Sequence, residues 1–247
     1  MSVLDEGRAA VGLLTILPAG RRELPDDAAD GAAVWFPLVG GAVGVVAAGA
    51  YALAEILLGG FYGAAFALLT AAILTGALHH DGLADLADGL GVRGDRARRL
   101  AVMRDSAIGT YGTLALIAYA LLATAALTQL QPPDAAAAIV CGHVLGRWAA
   151  LAQLAYVEPA RQDGLGAEFS ATRPALAIGS VVSIVIAIAA VGVVAGLSAV
   201  AGAAIAAAAM ALAARRLVGG RTGDTLGAAV LVTELTVLAV LAAYLPV

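Results

Sequence analysis

The chain has 247 residues, of which 62% are hydrophobic and 13% charged, and its mean hydropathy is +0.93. Soluble domains are only about half apolar, so this composition excludes an ordinary water-soluble domain and points to a membrane protein. The net charge of -4 is too small to suggest a nucleic-acid partner, and none is expected. Cys141 is the only cysteine, so no intramolecular disulfide can form. The longer apolar runs approach about 20 residues, are rich in Ala, Leu and Gly, and lack the period-two alternation of a barrel. The expected fold is therefore all-α, a polytopic helical membrane bundle. No polar block is long enough to fold separately, so residues 1–247 read as one domain.

Taken in chain order, residues 3–17 form a short, partly apolar segment carrying Arg8 and stopped by Pro18. It reads as an amphipathic helix that lies along the interface or re-enters the membrane. Asp5 and Glu6 stand where a signal peptide carries positive charge, so a cleaved signal is not expected. Seven spans follow, at 33–58, 61–80, 109–130, 135–157, 174–196, 199–214 and 225–245. Gly40, Gly41 and Gly44 in the first allow close helix approach.

All 14 basic residues are Arg. Arg8, Arg21 and Arg22 precede the first span, Arg93, Arg96, Arg98, Arg99 and Arg104 follow the second, Arg161 and Arg173 the fourth, and Arg215, Arg216 and Arg221 the sixth. These loops fall on one side, and the opposite loops carry no Arg. The positive-inside rule puts the N-terminus and the Arg-bearing loops in the cytoplasm. Arg147 alone lies inside a span, where it either snorkels towards lipid or meets an anion in a cavity.

The stretch from His79 to Gly109 holds five aspartates, two histidines and five arginines between two apolar runs. Asp81, Asp85 and Asp88 are spaced four and three apart, so they share one helical face if the helix of the preceding run continues. Carboxylates stacked this way repel, and a divalent cation such as Mg²⁺, which prefers oxygen ligands and bridges to phosphates, relieves the repulsion. Arg104, Asp105 and Ser106 lie just before the third span, whose helix N-terminus favours anionic oxygens. A second stretch, Gly219-Gly220-Arg221-Thr222-Gly223-Asp224-Thr225, opens the seventh span. Its glycine-rich backbone and Arg221 suit phosphate, and Glu234 follows Thr225 by about two and a half turns. A third, weaker stretch runs from Gly164 to Ser170 around Glu168.

Each element has a plainer explanation. Asp-rich loops are often only solvated, Asp105 and Asp224 suit helix caps, and His79 and His80 suit packing at a helix end. Glu234 is harder to explain so, because an acid within an apolar helix usually faces a cavity or a partner. Acidic, Arg and Gly-rich elements converging on one membrane face suit metal-assisted phosphoryl transfer. A transporter lined by Arg147 and Glu234 is the rival, but no inverted repeat is evident and most acids lie in loops.

His80-Asp81-Gly82-Leu83-Ala84-Asp85 with Asp88-Gly89, Met103-Arg104-Asp105-Ser106 with Ile108-Gly109, and Gly220 with Thr222-Gly223-Asp224 and Leu226-Gly227-Ala228 together closely resemble the cobalamin synthase family, the adenosylcobinamide-GDP ribazoletransferases. Phe36-Pro37-Leu38-Val39-Gly40 and Leu14-Thr15-Ile16-Leu17-Pro18 fit the same pattern, so the likeness runs in order from about residue 10 to 235. Two positions depart from it, Ile16 and Ala107, where the family pattern has basic residues.

The resemblance implies an inner-membrane transferase of the last steps of cobalamin biosynthesis. Such an enzyme joins adenosylcobinamide-GDP to alpha-ribazole or its 5'-phosphate, releases GMP, and depends on Mg²⁺. Read together with the residue chemistry above, the resemblance suggests roles. Asp81, Asp85 and Asp88 would be metal ligands, and His80, Asp105 and Asp224 catalytic groups. Arg104, Ser106, Arg147, Arg221, Thr222, Gly223 and Glu234 would bind substrate. Asp85-Leu86-Ala87-Asp88-Gly89 also partly echoes the CDP-alcohol phosphotransferases, which makes a lipid-directed transferase the alternative enzyme. The sequence leaves room for a homo-oligomer.

Overall fold

The computed structural model describes residues 3–18 and 31–245; Arg21 and Arg22, counted above with the cationic loops, lie outside the described residues. The described chain is all-α, as expected, with a single isolated β-bridge between Pro159 and Arg221. Its helices are α1 (Val3–Leu14), α2 (Phe36–Leu58, entered through a 3₁₀ turn at Ala33–Trp35), α3 (Gly60–Leu74), α4 (Leu78–Gly91), α5 (Arg96–Val102) and α6 (Thr110–Leu127). Then come α7 (Pro132–Tyr156), the single turn α8 (Leu165–Glu168), α9 (Arg173–Val191), α10 (Val193–Ala213, continued by a π turn at Ala214–Val218) and α11 (Gly223–Tyr244).

Six helices, α2, α6, α7, α9, α10 and α11, are long and apolar enough to cross a membrane, and the bent pair α3–α4 makes a possible seventh. At about 1.5 Å per residue α1 is too short to cross. It instead buries Ala9, Ala10 and Leu14 against Phe36, Leu151 and Leu154.

Two expectations need correction. The second span does not run from 61 to 80: α3 ends at Leu74, and α4 departs from it at 93°. The break is local, with Gly76 and Ala77 both in the left-handed region at φ +57°. Thr75 Oγ1 turns back on the carbonyl of Ala71 at 2.9 Å. The aspartates therefore sit on a separate helix, which still puts offsets of four and three on one face. The break between the fifth and sixth spans lies at Gly192, φ +82°, and not near residue 197. Gly196 lies inside α10, where a Cβ would come within 2.9 Å of the Ile188 backbone.

α7 is the central helix, packed by α2, α9, α10 and α11. Helices in lipid gain little by hiding apolar surface from one another, so small residues that admit close contact decide where they meet. A Cβ on Gly44 would stand 2.9 Å from Val140 Cα, and one on Gly146 would stand 2.8 Å from Glu234 Cγ. Gly40 faces the His143 carbonyl even more tightly, whereas Gly41 touches only the Val144 side chain at 3.4 Å.

The Arg-bearing loops gather at one end of the bundle. Arg96 donates to the carbonyl of Ala160, Arg215 to that of Tyr156, and Arg99 Nη1 to that of Leu217 at 3.2 Å.

Candidate active site

α4 packs against α6 and α11 at that end. Its contact with α11 is made by glycines: a Cβ on Gly82 would lie 2.9 Å from the Asp224 carbonyl oxygen, and one on Gly227 would lie 3.2 Å from His79 Cα. The first and second polar stretches are thus brought together backbone to backbone. The third joins them, since a Cβ on Gly166 would lie 2.7 Å from the Thr222 carbonyl carbon.

Asp81, Asp85 and Asp224 form the acidic face. Burial, followed by the charges of Asp81, Asp224 and Asp88, pushes the Asp85 carboxyl up to about 7. Asp224 is held from its other side: its Oδ2 accepts from Thr222 Oγ1 at 3.2 Å and lies 3.8 Å from Arg161 Nη2. Among the described residues no three His, Cys, Asp or Glu side chains stand close enough together to hold a metal ion.

Asp88 shares the face but has other work. Its two oxygens accept the N–H groups of Gly109 at 2.7 Å and Gly112 at 2.9 Å, satisfying donors at the start of α6 that have no partner within that helix. Its expected role as a metal ligand gives way to that of a cap contributed by a neighbouring helix. Asp105 turns onto the N–H of Ala107 at 3.1 Å, within its own turn, and Ser106 is exposed beside it.

Arg221 is likewise committed. Nε donates to the carbonyl of Gly166 at 2.8 Å, Nη2 to that of Phe169 at 3.0 Å, and Nη1 to that of Val157. The guanidinium expected to meet phosphate instead fastens the loop between α7 and α9 over the start of α11. Thr222 is the N-cap of α11 in a reciprocal pair: Thr222 Oγ1 accepts from the Thr225 N–H at 3.2 Å, and Thr225 Oγ1 accepts from the Thr222 N–H at 2.8 Å. Gly223 follows as the first residue of that helix.

Beneath the acidic face lies a buried polar layer. Arg147 and Glu234 are 1% and 3% exposed and pair directly through Arg147 Nη1 and Glu234 Oε1. His143 Nδ1 lies 2.7 Å from the same oxygen, and Tyr119 donates its hydroxyl to Glu234 Oε2 at 3.0 Å. The anion that Arg147 meets is therefore the protein's own carboxylate, so neither residue is placed to touch a substrate. The His80 ring stacks edge-on against Tyr119, 5.5 Å between centroids. His79 is buried, lines a narrow apolar cleft with Leu14, Phe36 and Gly227, and leaves Nε2 without a hydrogen-bond partner, as does His80 at Nδ1.

Three residues of this arrangement, His143, Arg161 and Tyr119, escape sequence reading. His143 and Arg147 are four apart on one face of an apolar helix, a pairing that was available as a signal. Arg161 counted only as a loop charge, and Tyr119 carried no signal at all.

Fold and site together define a class: a polytopic helical membrane protein with an acidic, arginine-bordered site at one end of its bundle. The chain belongs to the cobalamin-5-phosphate synthase family, whose model matches residues 6–242. It is 40% identical over 205 residues to the adenosylcobinamide-GDP ribazoletransferase of Azorhizobium caulinodans, covering 78% of this chain and 76% of the relative. It is 38% identical over 252 residues to the protein of the same name in Bradyrhizobium diazoefficiens, covering 98% and 95%. No solved structure matches it.

Proposed function

We propose that this protein transfers the phospho-cobinamide moiety of adenosylcobinamide-GDP to a ribose hydroxyl of alpha-ribazole or its 5'-phosphate, releasing GMP and forming adenosylcobalamin or its 5'-phosphate. Family membership and the names of the relatives support the substrates. The observation that carries the chemistry is the meeting of Asp81, Asp85 and Asp224 where α4 packs on α11 through Gly82; burial there, followed by the neighbouring charges, pushes the Asp85 carboxyl up to about 7.

That donor set fits a hard divalent cation, because a bound cation offsets both the burial and the neighbouring charges that raise Asp85. Mg²⁺ is commonly held by one or two carboxylates plus substrate phosphates, so it does not require a closed cage of three side chains. One or two of Asp81, Asp85 and Asp224 would hold it together with the substrate phosphates, and when bound it would neutralise the pyrophosphate and the charge developing on the leaving group.

The remaining work falls to the chain's own residues. In the reaction, the ribose oxygen bonds to the phosphorus next to cobinamide, and the bond from that phosphorus to the bridging oxygen breaks, so GMP carries the electron pair away. Arg104, exposed at the edge of the site, offers planar donors to the departing phosphate. His80, its ring fixed edge-on against Tyr119, accepts the proton of the attacking hydroxyl. The site faces the cytoplasm of the inner membrane on the distribution of arginines.

The test is an assay of the purified, detergent-solubilised protein with both substrates, with and without Mg²⁺, following GMP and the corrinoid product. Metal-dependent formation of both is expected. Absence of product from a folded sample would overturn the proposal, and CMP release from a CDP-linked lipid would replace it with a lipid transferase.

A further inference from the structure

Among the charges on the loop joining α7 to α9 that the proposed reaction has not used are Arg161 and Asp163. Asp163 is the exposed meeting point of two arginines. Arg104 Nη2 donates to both of its oxygens, at 2.8 and 2.7 Å, and Arg161 Nε lies 3.7 Å from Oδ1. Arg161 also reaches the other way, with Nη2 3.8 Å from Asp224 Oδ2, while its Nη1 is buried without a hydrogen-bond partner. Arg161 is thus a cation between the acidic face and the Arg104–Asp163 pair, with donor capacity left over.

Two guanidinium groups closing on one solvent-exposed carboxylate make an anion site filled by the protein itself. The carboxylate is weakly held, because exposed ion pairs gain little against water. A phosphate carries more charge and more acceptor oxygens than a carboxylate and suits the planar donors of arginine better. We propose that Arg104 and Arg161 form a subsite for the phosphate on the nucleoside side of a nucleoside diphosphate, and that Asp163 occupies this subsite until substrate displaces it. The inference rests on the proposed function in taking the pyrophosphate of a GDP-linked substrate to bridge the acidic face and these arginines. It goes beyond that reading by assigning Arg161 as a binding residue and Asp163 as an internal competitor.

The experiment measures binding of inorganic pyrophosphate and of GDP to the purified full-length protein, alongside KM for the GDP-linked substrate. Removing the competitor in Asp163→Asn should tighten all three, by about two- to fivefold. Arg161→Ala should weaken them at least about tenfold, with Arg161→Lys in between. If Asp163 merely ties down the loop, Asp163→Asn weakens binding or leaves it unchanged, and the inference is overturned. It is also overturned if Arg161→Ala binds normally. Tighter pyrophosphate binding by Asp163→Asn in a protein that releases no GMP keeps the subsite and discards the proposed function. Normal turnover without tightening does the reverse.

Discussion

Replacing Asp85 by Asn should stabilise the cation-free protein while abolishing transfer. The ionised Asp85 carboxylate sits on a partly desolvated surface and there faces Asp81, Asp224 and Asp88, which together move its titration from 3.8 to about 7. Taken at face value that difference is worth about 4 kcal/mol, at about 1.4 kcal/mol per pH unit. Asp85 is only partly buried, and solvent screening reduces the figure to about 1–2 kcal/mol. Between pH 3.8 and about 7 the unfolded chain gives up this proton while the folded one keeps it. Wild-type stability therefore falls as pH rises through that window and levels off above it. Thermal unfolding in detergent, with the protein stripped of divalent cations by chelator, should show this decline, and Asp85→Asn should flatten it and melt a few degrees higher at pH 8. Added Mg²⁺ should raise the wild-type midpoint more at pH 8 than at pH 5, because the cation must displace a proton at the lower pH. A variant that is no more stable than wild type at pH 8, with the same pH dependence, would refute the picture of a strained acidic face.

Four further outcomes test the frame around the site. Glu234→Ala strands Arg147 in the core without a counter-charge and should cost about 3–5 kcal/mol in thermal or denaturant unfolding. Gly82→Ala drives a methyl group against the Asp224 backbone, so it should cost about 1–3 kcal/mol and depress GMP release. Gly49→Ala, which meets nothing within 4 Å in α2, should be neutral or stabilising by up to about 1 kcal/mol. Ala77→Gly removes a side chain from a left-handed residue and should be neutral or raise the melting temperature slightly, because the relief of about 1–2 kcal/mol exceeds the added backbone entropy.

The parts of the fold that follow from hydropathy were legible. Long apolar runs, the side on which the arginines gather, and the close approach at Gly40 and Gly44 depend on composition within one segment. The break at Thr75–Ala77 was not legible, because His79 and Asp81 come directly after an apolar run and no proline marks the turn. Ala77 adopts a conformation that its residue type does not advertise. The site shows the same division. The acidic stretch and the start of α11 stood out by charge and glycine content, and their contact is real. What each polar group bonds to depends on helices far apart in the chain. Asp88 looks like its neighbours in sequence, yet only Asp88 reaches Gly109 and Gly112. Arg221 looks like a phosphate ligand until α8 and Phe169 arrive around it.

The bend also explains why the aspartates are strained. α3 has 15 residues, about 22 Å of helix, which is shorter than the roughly 30 Å apolar layer of a bilayer. A straight continuation would carry His79 and Asp81 onward along the membrane normal. The 93° turn lays α4 across the bundle instead, where Gly82 and Gly227 let it touch α11. Burial then leads the causes that raise Asp85, ahead of any single charged neighbour. Carboxylates in that setting bind a cation more strongly than they would in an open loop, since less water competes and Coulomb terms are screened less. The position that makes the acidic face costly in the cation-free protein is therefore, under the proposed function, the one that would strengthen its hold on a cation.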